Sequence, residues 1–78
     1  MANNEIPCGI YQHYKNQQLY EVIGIALHTE THEEMVIYKA LYSSDTFIYG
    51  QIWTRPKKMF LEVLDYNGNN VPRFKRIE

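Results

Sequence analysis

The chain has 78 residues, 45% of them apolar and 14% aromatic, with a formal net charge of -1. A chain this short buries only about 60% of its unfolded surface, so it holds one domain at most, and its apolar share is too high for a disordered segment. Near-neutral charge excludes the overall basic field of a dedicated nucleic-acid or anionic-membrane binder, and no apolar run approaches the roughly 18 residues of a membrane-crossing helix.

Residues 1–8 read as a flexible lead-in, and residues 9–78 as the domain. The start Met1-Ala2-Asn3-Asn4-Glu5 lacks the basic and apolar stretches of a secretory leader. The single cysteine, Cys8, forms neither an internal disulfide nor a zinc-binding pair, so a cytoplasmic setting is expected. From Gly9 to Lys15, Tyr11 and His13 alternate with Ile10, Gln12 and Tyr14, a short strand that ends at Asn16-Gln17-Gln18. Leu19 to His28 sets Tyr20, Val22 and Ala26 on one face and Leu19, Ile23, Ile25 and Leu27 on the other. With both faces apolar the strand is covered twice or bends, and Gly24 at its centre is the bend or bulge position.

Met35 to Tyr42 repeats the pattern, with Val36, Tyr38, Ala40 and Tyr42 against Met35, Ile37, Lys39 and Leu41; Ser43-Ser44-Asp45 then supplies a turn. Phe47 to Arg55 is the next expected strand. Pro56 fixes its own φ and removes a donor, which stops that strand and opens a short helical turn through Met59. Phe60 to Tyr66 and Val71 to Ile77 flank Asn67-Gly68, the strongest hairpin signal in the chain, and Pro72 confines the last strand to an edge. Five or six short strands and one or two short helical turns predict an all-β fold, a small barrel whose closure builds a core and removes exposed edges.

In their order, Gly9, Tyr11, His13-Tyr14-Lys15, Tyr20, Val22, Ala26, His28-Thr29-Glu30-Thr31, Glu34, Val36, Tyr38, Leu41-Tyr42, Trp53, Arg55-Pro56, Met59-Phe60 and Arg73-Phe74 form a pattern. It resembles a small bacterial family known as domain of unknown function 1653. The resemblance implies an SH3-like barrel with no established activity. Asn16 stands where that family often has Gly, Leu27 where it often has a basic residue, and Thr46 to Ile52 is slightly longer than usual.

Two segments concentrate the polar chemistry. In His28-Thr29-Glu30-Thr31-His32-Glu33-Glu34, neutral imidazoles and carboxylates suit a divalent metal such as zinc, iron or nickel, but no known ligand spacing is completed. The structural alternative is a capping box, Thr31 accepting from a backbone N–H and Glu34 reaching back, so that a tight helical turn links two strands. In Trp53-Thr54-Arg55-Pro56-Lys57-Lys58-Met59-Phe60, a guanidinium beside an indole and several phenols suits a carboxylate or phosphate held by bidentate contact. Its structural alternative is a core Trp53 with Arg55 paired to Glu30 or Glu62. Lys57, Lys58, Arg73, Lys75 and Arg76 lie near Phe60 and Phe74, but Glu62, Asp65 and Glu78 dilute them, which favours a solvated rim over a nucleic-acid face.

Serines occur only as Ser43-Ser44, and the four glycines are widely spaced, so neither a serine nucleophile motif nor a phosphate loop is present. No cofactor is implied. The resulting expectation is a non-enzymatic binding or interaction module with a groove formed by Tyr11, His13, His28, Glu30, Tyr42, Trp53 and Arg55. It would take a small anionic or aromatic ligand or a protein partner. The alternative is a small metal-dependent or acid/base enzyme centred on His28, Glu30 and His32.

Overall fold

Seven strands and one helical turn make up the fold in the computed structural model, which describes residues 6–78. They are β1 (Gly9–His13), β2 (Leu19–Leu27), β3 (Glu34–Ala40), β4 (Ile52–Pro56), α1 (Lys57–Phe60), β5 (Val63–Tyr66), β6 (Asn69–Pro72) and β7 (Phe74–Arg76). An antiparallel sheet runs in the order β4-β3-β2-β1-β7, and β5-β6 forms a separate hairpin. The expectation of a mostly β fold holds. The larger sheet curls until its two edges face each other through side chains, the Arg55 guanidinium of β4 lying 5.8 Å from the ring centre of Phe74 on β7.

Period-two alternation decides what lies inside the curl. Tyr11, Tyr20, Val22, Val36, Tyr38, Ala40 and Phe74 are buried, joined by Ile6 from the leading segment and Phe60 from α1. Phe60 is the only buried residue of the helical turn, and its ring stacks flat on Phe74 at 4.3 Å. Pro56 occupies the cap position with φ -54, so the proline that ends β4 also starts the turn that delivers Phe60.

The double apolar pattern of β2 resolves as a bulge. Pairing with β3 shifts register between Val22 and Gly24, which puts Ile25 opposite Val36 and Ala26 opposite Met35. Directly opposed residues share a face, so beyond the bulge Ile25 joins the face of Val22 and Tyr20, whereas strict alternation assigned that place to Ala26. The strand then outruns the core, leaving Leu27 exposed.

Four further expectations are corrected. The strand expected over Phe47 to Arg55 begins only at Ile52, because Ser44 turns the chain back: its N–H donates to the Phe47 carbonyl, and its Oγ accepts from the Thr46 N–H. The strand expected from Phe60 begins at Val63, since Phe60 belongs to α1. The strand expected over Val71 to Ile77 is broken at Arg73, whose N–H donates to Glu62 and whose carbonyl accepts from Tyr14, tying the hairpin to the sheet. Of the expected lead-in, residues 1–5 lie outside the described residues. The rest is anchored: Ile6 is buried, the Pro7 carbonyl accepts from the Tyr11 hydroxyl, and the Cys8 thiol donates to the Ile23 carbonyl. Asn67-Gly68 forms the expected hairpin turn, with φ 55 and 81 at the two positions, as a type I′ turn requires.

The chain's end closes on its beginning at Gly9. Its φ of 151 and the Glu78 carbonyl, which accepts from the Ile10 N–H, leave no room for a side chain, and a Cβ there would also lie 2.9 Å from Arg76 Nε. Gly9→Ala is expected to cost about 1–3 kcal/mol. Urea unfolding checks this, the midpoint falling with an unchanged slope.

Candidate binding site at the barrel mouth

At one end of the curled sheet, inward-facing side chains line an open cavity of about 280 Å³. β1 contributes His13, β2 Tyr20, β3 Tyr38, β4 Trp53 and Arg55, β7 Phe74, and the β1–β2 turn Asn16. Register explains the convergence: His13 is opposite Phe74, Tyr38 is opposite Trp53, and each pair shares a face. The loop 41–51 is held to this end of the sheet by Phe47, which packs edge-on against both Tyr42 and Trp53.

The polar side chains here include several donors. Arg55 Nε donates to the Tyr38 hydroxyl at 3.3 Å, and among the described residues this is its one hydrogen bond, with no carboxylate in ion-pair range. The Tyr38 oxygen therefore accepts, and its own proton stays available. Tyr20 and Tyr42 meet hydroxyl to hydroxyl at 2.5 Å, with the Asn16 amide donating to Tyr20 at 3.3 Å. One phenol proton makes the Tyr20–Tyr42 contact, and the other remains to donate elsewhere. Burial, then the hydrogen bond with Tyr20, pushes the Tyr42 phenol up to about 12, so it keeps its proton at neutral pH.

His13 completes the set. Its Nδ1 accepts from the Lys15 N–H at 3.1 Å, which places the proton of the neutral ring on Nε2. Burial is the main cause that holds its pKa below the usual 6.5, followed by the charges of Arg55, Arg73 and Lys15. In the interval between this lowered value and 6.5 the unfolded chain binds the extra proton. Stability is therefore expected to fall as pH drops below 6.5, and less so in His13→Gln. Thermal unfolding of both proteins between neutral and mildly acid pH checks the difference.

The expected groove is partly assembled. His13, Trp53 and Arg55 line one cavity, and Tyr42 stands behind Tyr20. Tyr11 is buried in the core, its ring edge-on to Phe60. His28 and Glu30 lie apart from this cavity, in the exposed β2–β3 connection. There the His28 Nδ1 accepts from the backbone N–H of Glu30 at 3.1 Å and of Thr31 at 3.4 Å, while the His32 N–H donates to the His28 carbonyl at 2.8 Å. His28 thus holds a tight turn, and His32 has a left-handed φ of 62. The expected capping box and helical turn do not form: no helix begins at Thr31, whose hydroxyl accepts from the Glu33 N–H within a turn, and Glu34 opens β3 and pairs with Lys57. Among the described residues no group of three or more His, Cys, Asp and Glu is placed to hold a metal ion.

The two chemically rich segments do meet, though through other residues than Arg55 and Glu30. Glu34 pairs with Lys57 at 3.1 Å and Glu33 with Lys58 at 3.9 Å. Glu62, the other partner expected for Arg55, pairs with Arg73 at 2.7 Å. Tyr20, Tyr38 and Phe74 were absent from the expected groove, since buried aromatics on a strand read as core. The period-two positions that put each of them on the inner face of its own strand, as His13 and Arg55 are on theirs, were the available signal.

A family model described as a protein of unknown function, DUF1653, matches residues 9–76. The crystal structure of a DUF1653 protein from Bordetella bronchiseptica is similar, at 31% identity and a TM-score of 0.81, over 97% of this chain and 92% of that one. No curated protein matches the chain. Among the described residues no helix is long and apolar enough to cross a membrane.

Proposed function

The chain belongs to the DUF1653 family, which supplies no activity to inherit, and on its geometry alone we propose that it is a binding module whose barrel mouth takes the anionic group of a small ligand. The observation that carries this reading is Arg55. Its guanidinium lines a cavity, is aimed by one phenol and has no carboxylate partner among the described residues. A cation so placed gains most from a charged acceptor, and no carboxylate lines the cavity to supply one. The aromatic walls lower the local dielectric around the contact and thereby strengthen it. The mouth of a small barrel is also a common place for such sites.

Binding of an anion beside His13 opposes the three cations that depress its protonation. Affinity is therefore expected to rise as pH falls below 6.5, opposite in sign to the stability of the unliganded protein. A thermal-shift panel of small carboxylates, phosphate and sulfate, run on the wild type and on Arg55→Gln, tests the proposal. An anion present at a hundred times its Kd raises stability by about 2.7 kcal/mol. A shift absent from Arg55→Gln supports the reading; equal shifts in both proteins reject it. The geometry of His28, Glu30 and His32 lends the enzyme alternative no support.

A further inference from the structure

A second cavity, of about 460 Å³, lies across the β1–β7 pair from the Arg55 site. Gln12 and Lys75 are opposed on the outer face of that pair, whereas His13 and Phe74 are opposed on the inner face, so His13 is the wall between the two cavities. The β5–β6 hairpin supplies Tyr66, Val71 and Pro72 to the outer cavity. Among the described residues the hairpin strands pair only with each other, and a two-stranded ribbon needs further packing to hold its place. Two anchors supply it: the Arg73 backbone accepts from the Tyr14 N–H and donates to the Glu62 carbonyl, and the Tyr66 ring meets Tyr14 edge to face at 5.3 Å.

The lining is chemically one-sided. Tyr14, Tyr66, Val71 and Pro72 give aromatic and aliphatic area, and Tyr66 is 42% exposed, which leaves ring surface open to a further ring. The two glutamine amides are occupied internally, Gln12 Nε2 donating to the Gln17 carbonyl and Gln17 Nε2 to the Tyr14 carbonyl. Lys75 is the one Lys or Arg at the cavity, and no Asp or Glu lines it, in a chain whose nine acids outnumber its eight bases. Among the described residues Lys75 has no ion-pair partner, whereas Glu21, Glu33, Glu34 and Glu62 all pair elsewhere. What remains for a ligand to read is aromatic surface and one uncompensated cation.

We propose that the outer cavity is a second, independent binding site for a small aromatic anion, its ring packed against Tyr14, Tyr66 and Pro72 and its charge turned towards Lys75. Offset or edge-on ring contacts add affinity beyond the area they cover, and a cation without a partner favours an anion over a neutral ring. A ligand seated here touches the sheet and the hairpin at once, and so fastens the hairpin to β1. Arg55 has no part in it, since only His13 is common to the two cavities.

NMR titrations of the Arg55→Gln protein with benzoate, benzamide and acetate test this site with the barrel-mouth cation removed. Benzoate is expected to shift the amides of Tyr14, Tyr66, Val71 and Lys75 saturably, benzamide to bind about twofold to fivefold more weakly, and acetate to leave those amides in place. Tyr66→Ala should weaken benzoate roughly tenfold. Lys75→Gln, a change at an exposed side chain that spares the fold, should bring benzoate down to the affinity of benzamide. Absence of a saturable shift at these four amides would overturn the site, and benzamide binding as tightly as benzoate would overturn the preference for an anion. Shifts that appear at these amides in the wild type and vanish in Arg55→Gln would also overturn it, by assigning them to the other cavity. Inorganic phosphate added to the wild type reports on the barrel mouth separately, so either site can fail without the other.

Discussion

Phe60→Ala is expected to lower the unfolding free energy by about 3–5 kcal/mol. The ring is 2% exposed, stacked on Phe74 and edge-on to Tyr11 and Tyr38, so its loss leaves a cavity at the junction of three strands. Domains of this size hold about 5–15 kcal/mol in total and lose about 4–8 °C of Tm for each kcal/mol. The variant should therefore melt well below the wild type, and calorimetry is the check. Met59→Ala, one residue earlier on the same turn and 42% exposed, serves as the control and should change stability little. Comparable losses from the two would mean that α1 does not plug the curl through Phe60.

Arg55→Gln is expected to do the reverse, sparing the fold and removing binding. The stability it forfeits is one hydrogen bond to Tyr38 and one cation–π contact with Phe74, about 1 kcal/mol or less for a partly buried group. Affinity for an anion should drop by about 1.5–3 kcal/mol, or roughly tenfold to more than a hundredfold. Arg55→Lys should recover little of it, because an ammonium cannot donate to Tyr38 and still present a planar pair of N–H groups to the ligand. Calorimetric titration of the three proteins separates charge from geometry. Full recovery by Lys would mean that charge alone suffices.

Much of this architecture is legible in the residues, and the failures have physical causes. Alternation in β1 and β3, the proline stop and the Asn67-Gly68 turn are local signals, and each appears where the sequence puts it. The bulge in β2 is signalled by Gly24, but its effect on the faces of Ile25 and Ala26 depends on pairing with β3, which is not local. Loop 41–51 defeats a strand reading because Phe47 and Ile48 look β-prone, while Ser44 and Thr46 hydrogen-bond the chain into a turn. At the site, Arg55, Trp53 and His13 stand out as polar or amphipathic groups in apolar strands. That His28 and Glu30 lie apart from them follows from strand lengths: β2 and β3 carry their connection past the core. Tyr38 looks like plain core in the sequence, and only the register with Trp53 and the approach of Arg55 reveal its hydroxyl as part of the site.

The most direct measurement is an NMR titration of inorganic phosphate that follows the Arg55 Nε–H and the His13 ring nitrogens. Charge-assisted contact at the guanidinium should move the Arg55 signal saturably, and an anion beside His13 should raise the ring's pKa over the same concentration range. An Arg55 signal that stays fixed, with no change in the His13 titration, would contradict the account and return the barrel mouth to a purely structural role.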